Sequence, residues 1–436
     1  MLTGSGLRQV TAVPVSTEVF TELARTRPLP AATTALRAAL HTRRLLLLKS
    51  LLVRVERRRT ALQSVVRRRF EADWTLLERA EHTDAAVVRD VVDYPMTGAW
   101  LAEALAAPDG PLFEEHLARL GGVAVAAAVR AGCRFDITST LPSDTLSLPG
   151  LGLLRCPARR IRLSGDTRAV RITDDAGGSV ALARAMPEGA DPRNRPHGSL
   201  SWTGLRALSG GGAVLDDLDP HRVPPGGIGP AALPAAERTH SGHPAWAARW
   251  RTAQALLAVA DPGRAAETTA LVRAVVPLAS PVHIGVPTSA TLRTAPGAVL
   301  AQLPADPRDL AELLVHETQH TKLAAFDEMA PLCRPGGGTL HPVAWRRDPR
   351  PVPGVLQGAY AHLALLDLWR RARVAPASSP AWRRRAEERF EAHWEGVGEA
   401  LSILRESDEL TSAGREFVHN MATYHRSLGG AACQVG

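Results

Sequence analysis

The sequence predicts an α+β protein that is mostly helical and contains a small antiparallel strand region. Long stretches repeat apolar residues every three or four positions, which is typical of amphipathic helices. One central region instead has short, partly alternating apolar runs between Gly, Pro, Asp and Ser, which indicates strands joined by hairpins. Since helices and strands do not alternate regularly, hairpins are favoured over βαβ units. With 436 residues, 45% of them hydrophobic, the chain can bury a substantial core.

Three regions follow from these patterns in chain order. Residues 1–132 are predicted to form an N-terminal helical region, and residues 133–243 a strand-rich region that continues into an irregular Gly/Pro-rich segment. Residues 244–436 return to helices and carry the candidate catalytic motif. In that last region we expect a strand pair within 282–303 and helices over 244–260, 265–278, 307–330, 354–373, 380–405 and 409–427.

Charge and hydropathy argue against nucleic-acid and membrane partners. The net charge is +8, but the basic runs at 54–70 and 382–390 are interleaved with acids and apolar residues at helical spacing. Solvated helix faces are therefore favoured, and a basic groove for an acidic peptide is the alternative. No run reaches the roughly 20 apolar residues that a membrane span needs. The first residues lack a signal-peptide pattern, so a cytoplasmic protein is predicted.

Neither the cysteines nor the acidic turn residues predict a metal site. The four cysteines are scattered without a CxxC pair, which argues against a zinc ribbon, an iron–sulfur cluster or a thioredoxin-type site. We interpret them as reduced and mostly structural. Asp216, Asp217, Asp219 and His221 could ligate a metal, but in a Gly/Pro-rich segment we interpret them as exposed turn residues.

The stretch LAELLVHETQHTKLAAFDEM, residues 310–329, carries an HExxH motif inside an apolar helix. His316 and His320 are four residues apart, so one helical face presents both imidazoles to a single ion. Glu317 lies about 100° round the helix from His316 and would activate a water molecule in a peptidase. His316, Glu317 and His320 are therefore the candidate catalytic residues, and the two histidines are the candidate metal ligands. Ordinary helix-surface contacts are the alternative.

A catalytic metal centre needs a third protein ligand, which the motif does not supply. The helix GVLQGAYAHLALLDLW, residues 354–369, is apolar on all sides yet contains Gln357, His362 and Asp367, whose burial requires partners. Asp367 is the first choice as third ligand and His362 the second, with a plain hydrogen-bonding role as the alternative for each. Asp327 would stand about 10 Å along the metal helix, so it could ligate only if that helix bends or ends early.

The segment WRRDPRPVPG, residues 345–354, joins these two helices. Its prolines hold the backbone extended, which gives Arg350 a fixed setting. A guanidinium so placed can grip a carboxylate with two parallel hydrogen bonds. A surface loop with solvated arginines is the alternative.

Together these motifs resemble the HExxH-motif peptide-modification proteins found beside ribosomally made peptide precursors, often with radical S-adenosylmethionine enzymes. The resemblance is carried by LAELLVHETQHTKLAAFDEMAPL and AWRRDPRPVPGVLQGAYAHLALLDLWRR. Weaker support comes from PTSATLRTAPGAVLAQLP and LTSAGREFVHNM. It is specific over 310–373 and extends over the whole chain, so the three regions are expected to form one continuous unit.

The resemblance implies a non-haem iron, 2-oxoglutarate-dependent dioxygenase that hydroxylates the β-carbon of a residue in a precursor peptide. It implies a fold unlike the usual double-stranded β-helix oxygenases, and from its apolar character we expect the helix 354–369 to be buried beside the metal helix. His316 and His320 would hold Fe(II) with one carboxylate, and Arg350 would bind 2-oxoglutarate. Glu317 would then orient a histidine or bind substrate. The expected partners are the precursor peptide, in a groove built by residues 1–185, and a radical S-adenosylmethionine enzyme of the same pathway.

Two other functions are the alternatives. A zinc-dependent peptidase would use Glu317 as its general base. A non-catalytic peptide-binding protein would retain the motif without using it. The oxygenase is preferred because residues 310–329 and 345–369 both match the peptide-modification proteins.

Overall fold

The computed structural model describes residues 16–183, 200–210, 212–279, 288–336 and 338–430 and forms a mostly helical α+β fold, as predicted. Within these ranges the helices are α1 (Thr17–Ala24), α2 (Pro30–Arg57), α3 (Ser64–Thr83), α4 (Ala85–Val92), α5 (Pro95–Ala106), α6 (Pro111–Leu117), α7 (Arg119–Ala131), α8 (His243–Ala260), α9 (Pro262–Leu271), α10 (Pro307–Asp327), α11 (Val352–Val374), α12 (Pro380–Glu406) and α13 (Ser412–Gly430). The strands are β1 (Phe135–Thr140), β2 (Thr145–Leu148), β3 (Gly152–Arg155), β4 (Arg160–Gly165), β5 (Ala169–Asp174), β6 (Ser179–Ala183), β7 (Ser201–Gly204), β8 (Arg206–Ala207), β9 (Val214–Leu215), β10 (Ala274–Pro277), β11 (Ser289–Ala290), β12 (Ala298–Ala301), β13 (Leu340–Val343) and β14 (Arg346–Pro351).

These strands form small open sheets. Strands β1, β4, β5 and β6 make one antiparallel sheet, and β2, β3 and β7 make another. Strands β13 and β14 form a hairpin in which His341 lies opposite Arg350. The remaining sheet has the order β11-β12-β10-β9-β8. Over the described ranges no sheet closes into a barrel.

The five-stranded sheet differs from the expectation of hairpins alone. Strand β10 runs parallel to both β9 and β12, and helices α8 and α9 connect β9 to β10. The predicted helix over 265–278 is wrong in its second half, because α9 ends at Leu271 and Ala274–Pro277 is a buried strand. A short apolar run fits a buried strand and a buried helix equally well, so periodicity could not separate them.

The other elements predicted for this region agree with the structure. Helices α8, α10, α11, α12 and α13 match the predicted helices to within a few residues. The predicted strand pair is confirmed in its described part, where β11 and β12 pair antiparallel with Ala290 opposite Leu300. Residues 282–287 of that prediction lie outside the described residues.

Buried apolar side chains form clusters that cross the boundaries between the three regions. One cluster joins Leu23 of α1 to Leu314 of α10 and to much of α11. A second joins Leu51 of α2 to Leu163 of β4. A third lies between α5 and strands β10 and β12. The N-terminal helices therefore share their cores with both later regions.

Helix α10 carries the HExxH motif and lies within the first cluster. Its N-terminus is capped by Asp306, whose Oδ1 accepts a hydrogen bond from the backbone N–H of Arg308 at 2.8 Å, and Pro307 occupies the first turn. It contacts α2, α8, α9 and α11. These neighbours bury most of its length and leave the two motif histidines partly exposed.

The basic runs lie largely on helices, and most of their charged side chains are exposed or partly exposed, as predicted for solvated faces. Arg57 is exposed and Arg58 pairs with Asp109 at 2.7 Å on the surface. In the second run, Arg385 of α12 instead donates through Nε to Glu312 of α10 at 2.9 Å. This contact ties α12 to the first half of the motif helix.

The Asp-rich turn, residues 216–222, is buried, so its interpretation as exposed is wrong. Its three aspartates are at most 3% exposed. Asp216 accepts a 2.6 Å hydrogen bond from the hydroxyl of Tyr94, and Asp217 accepts one of 2.7 Å from Arg238. Buried carboxylates require such partners. Tyr94 is distant in sequence, so local composition did not reveal the burial.

The described cysteines are free thiols, in line with the prediction of reduced residues. Cys133 and Cys156 are buried and Cys333 is partly exposed. Cys433 lies outside the described residues. Among the helices that the structure describes, none combines the length and the apolar character needed to traverse a bilayer.

Candidate metal centre

His316 and His320 lie on one face of α10, as their spacing predicts. Their Nε2 atoms are 3.1 Å apart and their ring planes are nearly perpendicular, at 86°. Ligand nitrogens lie about 2.1 Å from a bound zinc ion, so two nitrogens this close can share one ion. The prediction that the two histidines share one helical face is therefore confirmed.

Gln357 of α11 fixes the tautomer of His320. Its side-chain oxygen lies 2.9 Å from Nδ1 of His320. Because an amide oxygen only accepts hydrogen bonds, Nδ1 donates the proton and the lone pair of neutral His320 lies on Nε2. Nε2 is the atom that faces His316. Such a hydrogen bond behind the ligating nitrogen is typical of metal-binding histidines.

Burial keeps the neighbouring imidazoles neutral. Desolvation and the nearby His320 lower the pKa of His316 to about 4. Desolvation and the neighbouring His316 lower the pKa of His362 well below its ordinary value. Both rings are uncharged at neutral pH, which is the form that binds a metal.

Glu317 is only 2% exposed and is held on the side of α10 that contacts β11. Its Oε1 accepts a hydrogen bond from the hydroxyl of Ser289, and its Oε2 accepts one from the hydroxyl of Thr291, each at 2.7 Å. Both carboxylate oxygens are therefore occupied by strand β11 and the residue after it. This arrangement anchors the motif helix to the five-stranded sheet.

His362, the second choice as third ligand, lies beside the motif histidines. Its ring centre is 5.3 Å from that of His316. Its Nδ1 is buried, and within the described part of the chain it has no hydrogen-bond partner. Across the same described residues, no third His, Cys, Asp or Glu places a ligand atom within 4.8 Å of both motif nitrogens. Among the described residues no side chain therefore completes the site as it stands, and His362, whose buried Nδ1 is unpartnered, would have to move closer to serve as the third ligand.

Two aromatic side chains enclose His362. The ring centre of Trp345, on the β13–β14 hairpin, is 4.6 Å from that of His362, and that of His393, on α12, is 5.5 Å away. Gly358 makes room for the indole, because a Cβ there would lie 2.6 Å from the Trp345 ring. The hairpin thus covers α11 next to the candidate ligand.

The structure does not support Asp367, the first choice, as the third ligand. Its Oδ2 accepts a hydrogen bond from Arg264 at 2.7 Å, and its Oδ1 accepts one from Arg371 at 3.1 Å. Burial alone would raise the pKa of Asp367, but the attraction of Arg264 and Arg371 outweighs it and lowers that pKa. With both oxygens committed to arginines, Asp367 belongs to an ion network rather than to a metal.

Asp327 does not meet the condition set for it, because α10 continues to that residue. Its Oδ2 accepts a hydrogen bond from Arg293 at 2.7 Å, and its Oδ1 accepts one from the backbone N–H of Leu332 at 3.1 Å. Both carboxylate oxygens of Asp327 are therefore used in hydrogen bonds at the C-terminal end of α10.

Arg350 lies on strand β14, in the extended backbone that its prolines predict. It pairs with Asp348 on the same strand, with Nη1 3.4 Å from Oδ2, and its side chain is 37% exposed. The strand leads directly into α11, and the hairpin also carries Trp345. Arg350 therefore belongs to the element that covers the candidate ligand His362.

Sequence reasoning missed Ser289, Thr291, Trp345 and His393. Ser289 and Thr291 lie in the stretch PTSATLRTAPGAV, where two hydroxyl residues ahead of the motif helix were the available signal. Trp345 begins the proline-rich segment, but no local pattern links it to α11. His393 lies on α12, whose sequence pattern predicts a solvated helix face.

We expect Gln357→Leu to weaken metal binding by about 10–100-fold, since removal of a partner behind a ligating histidine has that effect. Gln357→Glu retains an acceptor for Nδ1 of His320 and should bind metal nearly as wild type does. Zn²⁺ affinity measured by competition with a chromophoric chelator compares the three proteins. Equal affinities in all three proteins would show that the hydrogen bond from His320 to Gln357 does not contribute to metal binding.

No known protein-family model matches the chain, and no curated protein is significantly similar to it. Its function is therefore inferred from its own residues and geometry together with the resemblance of its motifs.

Proposed function

We propose that the protein is an Fe(II)- and 2-oxoglutarate-dependent dioxygenase that hydroxylates the β-carbon of a residue in a ribosomally made precursor peptide. The observation that carries the proposal is the engagement of Glu317 by Ser289 and Thr291, at 2.7 Å each. A zinc peptidase needs this glutamate turned towards the metal-bound water as its base, whereas here its two oxygens face Ser289 and Thr291. An oxygenase does not require a base there, so the arrangement favours it.

Two of the donor atoms fit a transition-metal ion as they stand. The imidazole nitrogens of His316 and His320, 3.1 Å apart, suit iron or zinc, both of which accept imidazole ligands. The buried, unpartnered nitrogen of His362 is not within 4.8 Å of both and would have to approach the ion. His316, His320 and His362 would hold the ion, with histidine in place of the carboxylate that the resemblance implies. Iron bound there would supply, with 2-oxoglutarate and O₂, the oxidising power to hydroxylate an unactivated C–H bond.

Residues around the centre would orient the ligands and the cosubstrate. Gln357 keeps the proton of His320 on Nδ1, and Glu317 fixes α10 against the sheet. Arg350 would bind a carboxylate of 2-oxoglutarate, exchanging its 3.4 Å contact with Asp348 for the stronger bidentate pair. The partly exposed faces of His316 and His320 leave room for a peptide to approach.

The partners proposed are the precursor peptide and a radical S-adenosylmethionine enzyme of the same pathway. Both follow from the resemblance of residues 310–373 to peptide-modification proteins. We propose a cytoplasmic location, where precursor peptides are made, and no role for nucleic acid or membrane.

Succinate formation tests the proposal directly. Protein loaded anaerobically with Fe(II) is mixed with 2-oxoglutarate, O₂ and the precursor encoded beside its gene, and succinate and peptide mass are followed. We expect succinate in step with a peptide heavier by one oxygen atom. Zinc-supported cleavage without oxygen gain would instead establish the peptidase. Peptide binding with neither reaction would establish the non-catalytic alternative.

Glu317→Gln separates the two enzyme classes. Glutamine can still accept a hydrogen bond from Ser289 or Thr291, so we expect oxygenase turnover to fall by less than the roughly 10²-fold that losing a general base costs at minimum. Initial rates of succinate release and bound iron are measured for both proteins. A rate loss of about 10²–10⁴-fold with unchanged metal content would make Glu317 a base and contradict the proposal.

A further inference from the structure

We propose a second metal site, separate from the HExxH motif, in which Glu103, His116 and His221 bind a divalent transition-metal ion such as Zn²⁺. One ligand atom from each side chain lies within 4.8 Å of those from the other two. Nδ1 of His221 is 2.7 Å from Oε2 of Glu103. The ring centres of His116 and His221 are 6.0 Å apart. Two imidazoles and one carboxylate form a donor set that zinc uses in proteins while keeping a fourth position open.

The three side chains come from separate elements that are tied together. Glu103 lies on α5, His116 on α6 and His221 in the Asp-rich turn. The indole N–H of Trp100, on α5, donates to the backbone oxygen of His116 at 2.9 Å. This bond fixes the helix that carries His116 against the helix that carries Glu103.

The Asp-rich turn is held just as firmly. Asp219 accepts a hydrogen bond from the backbone N–H of His221 at 2.9 Å and pairs with Arg119. Asp216 accepts from the backbone N–H of Asp219 at 2.9 Å and from Tyr94, the residue before α5, at 2.6 Å. Buried charges thus hold the loop in one conformation. His221 is positioned without help from an ion, which lowers the cost of binding one.

The cluster is open to solvent on one side. His116 and His221 line a cavity of about 630 Å³, together with Arg119, Arg222 and Arg238. An ion can enter through this cavity, and a water molecule or an anion inside it can take the fourth position. Neither this cavity nor the cluster shares an element with the HExxH centre on α10 and α11.

Without an ion, the contact between His221 and Glu103 is a hydrogen bond that only ties the turn to α5. Two ligand atoms on a tetrahedral ion lie about 3.4 Å apart when each is about 2.1 Å from the metal. The observed 2.7 Å therefore needs to lengthen by less than an ångström, which side-chain rotation supplies.

Zinc stoichiometry tests the site in the full chain. Chelator-stripped protein is titrated with Zn²⁺ by calorimetry, and bound zinc is counted by mass spectrometry of the metal. We expect two equivalents for wild type, one for the double variant His316→Ala/His320→Ala, one for His116→Ala/His221→Ala, and none when all four are changed. His82→Ala, an exposed histidine on α3, is the control and should keep two.

Loss of all zinc in the His316→Ala/His320→Ala protein would overturn the second site, as would two equivalents in the His116→Ala/His221→Ala protein. Should that second variant fail to fold, Glu103→Gln replaces it, because the partly exposed amide keeps the shape of the side chain. Made in the His316→Ala/His320→Ala background, it should lower Zn²⁺ affinity at least tenfold. An unchanged affinity would likewise overturn the proposal.

Discussion

His316→Ala should empty the HExxH centre and abolish peptide oxidation. Nε2 of His316 lies 3.1 Å from that of His320, so its loss leaves a single motif ligand. Removing only a partner behind a ligand costs about 10–100-fold in metal affinity, so removing the ligand itself should cost more than that. Fe(II) affinity, iron content and succinate release are measured on one protein preparation.

His419→Ala is the matched control, since it removes an exposed histidine from α13. It should leave iron content and turnover unchanged. Peptide affinity, measured by fluorescence anisotropy, should persist in the His316→Ala protein because the fold remains. Full iron content in the HExxH position after His316→Ala would contradict the assignment of this residue as a ligand.

Asp367→Ala should destabilise the fold by about 3–5 kcal/mol, because it leaves a buried arginine without its counter-charge. Arg264 is 1% exposed and donates to Asp367 at 2.7 Å. The same arginine and the fully buried Lys322 both donate to the backbone oxygen of Thr26. The substitution therefore disrupts a network of buried charges that joins α9, α10 and α11. Urea unfolding followed by circular dichroism gives the free energy of unfolding.

Metal content distinguishes the network role of Asp367 from the ligand role. The Asp367→Ala protein, or Asp367→Asn if alanine prevents folding, should still bind iron, whereas His362→Ala should lose affinity. Asp408→Ala removes an exposed carboxylate and should change stability by less than about 0.5 kcal/mol. Lost iron with unchanged stability after substitution of Asp367 would restore it as the third ligand.

Sequence spacing predicts the motif pair, because a helix fixes where residues four apart must lie. The third ligand depends on which buried polar residue of α11 already has a partner. Asp367 is satisfied by Arg264, 103 residues away in the chain, and His362 is not. That long-range pairing has no local signature, so the sequence could not show that Asp367 is already committed to an arginine.

The sequence could not decide whether Glu317 acts as a base or orients other groups, because its hydrogen-bond partners also come from a separate element. Its partners, Ser289 and Thr291, are placed by the pairing of β11 with β12 and by the contact of α10 with that sheet. Likewise, the two-residue strand β9 is too short for periodicity to show, so the parallel part of the sheet was missed. Helix lengths, in contrast, follow from apolar spacing and from caps such as Asp306.

Anomalous diffraction from crystals grown anaerobically with Fe(II) tests the central claim most directly. We predict an iron peak within about 2.3 Å of Nε2 of both His316 and His320, with an imidazole nitrogen of His362 completing the protein ligands. Glu317 should remain hydrogen-bonded to Ser289 and Thr291. No peak between the two motif nitrogens, or a Glu317 carboxylate turned from the strand towards the ion, would contradict the account.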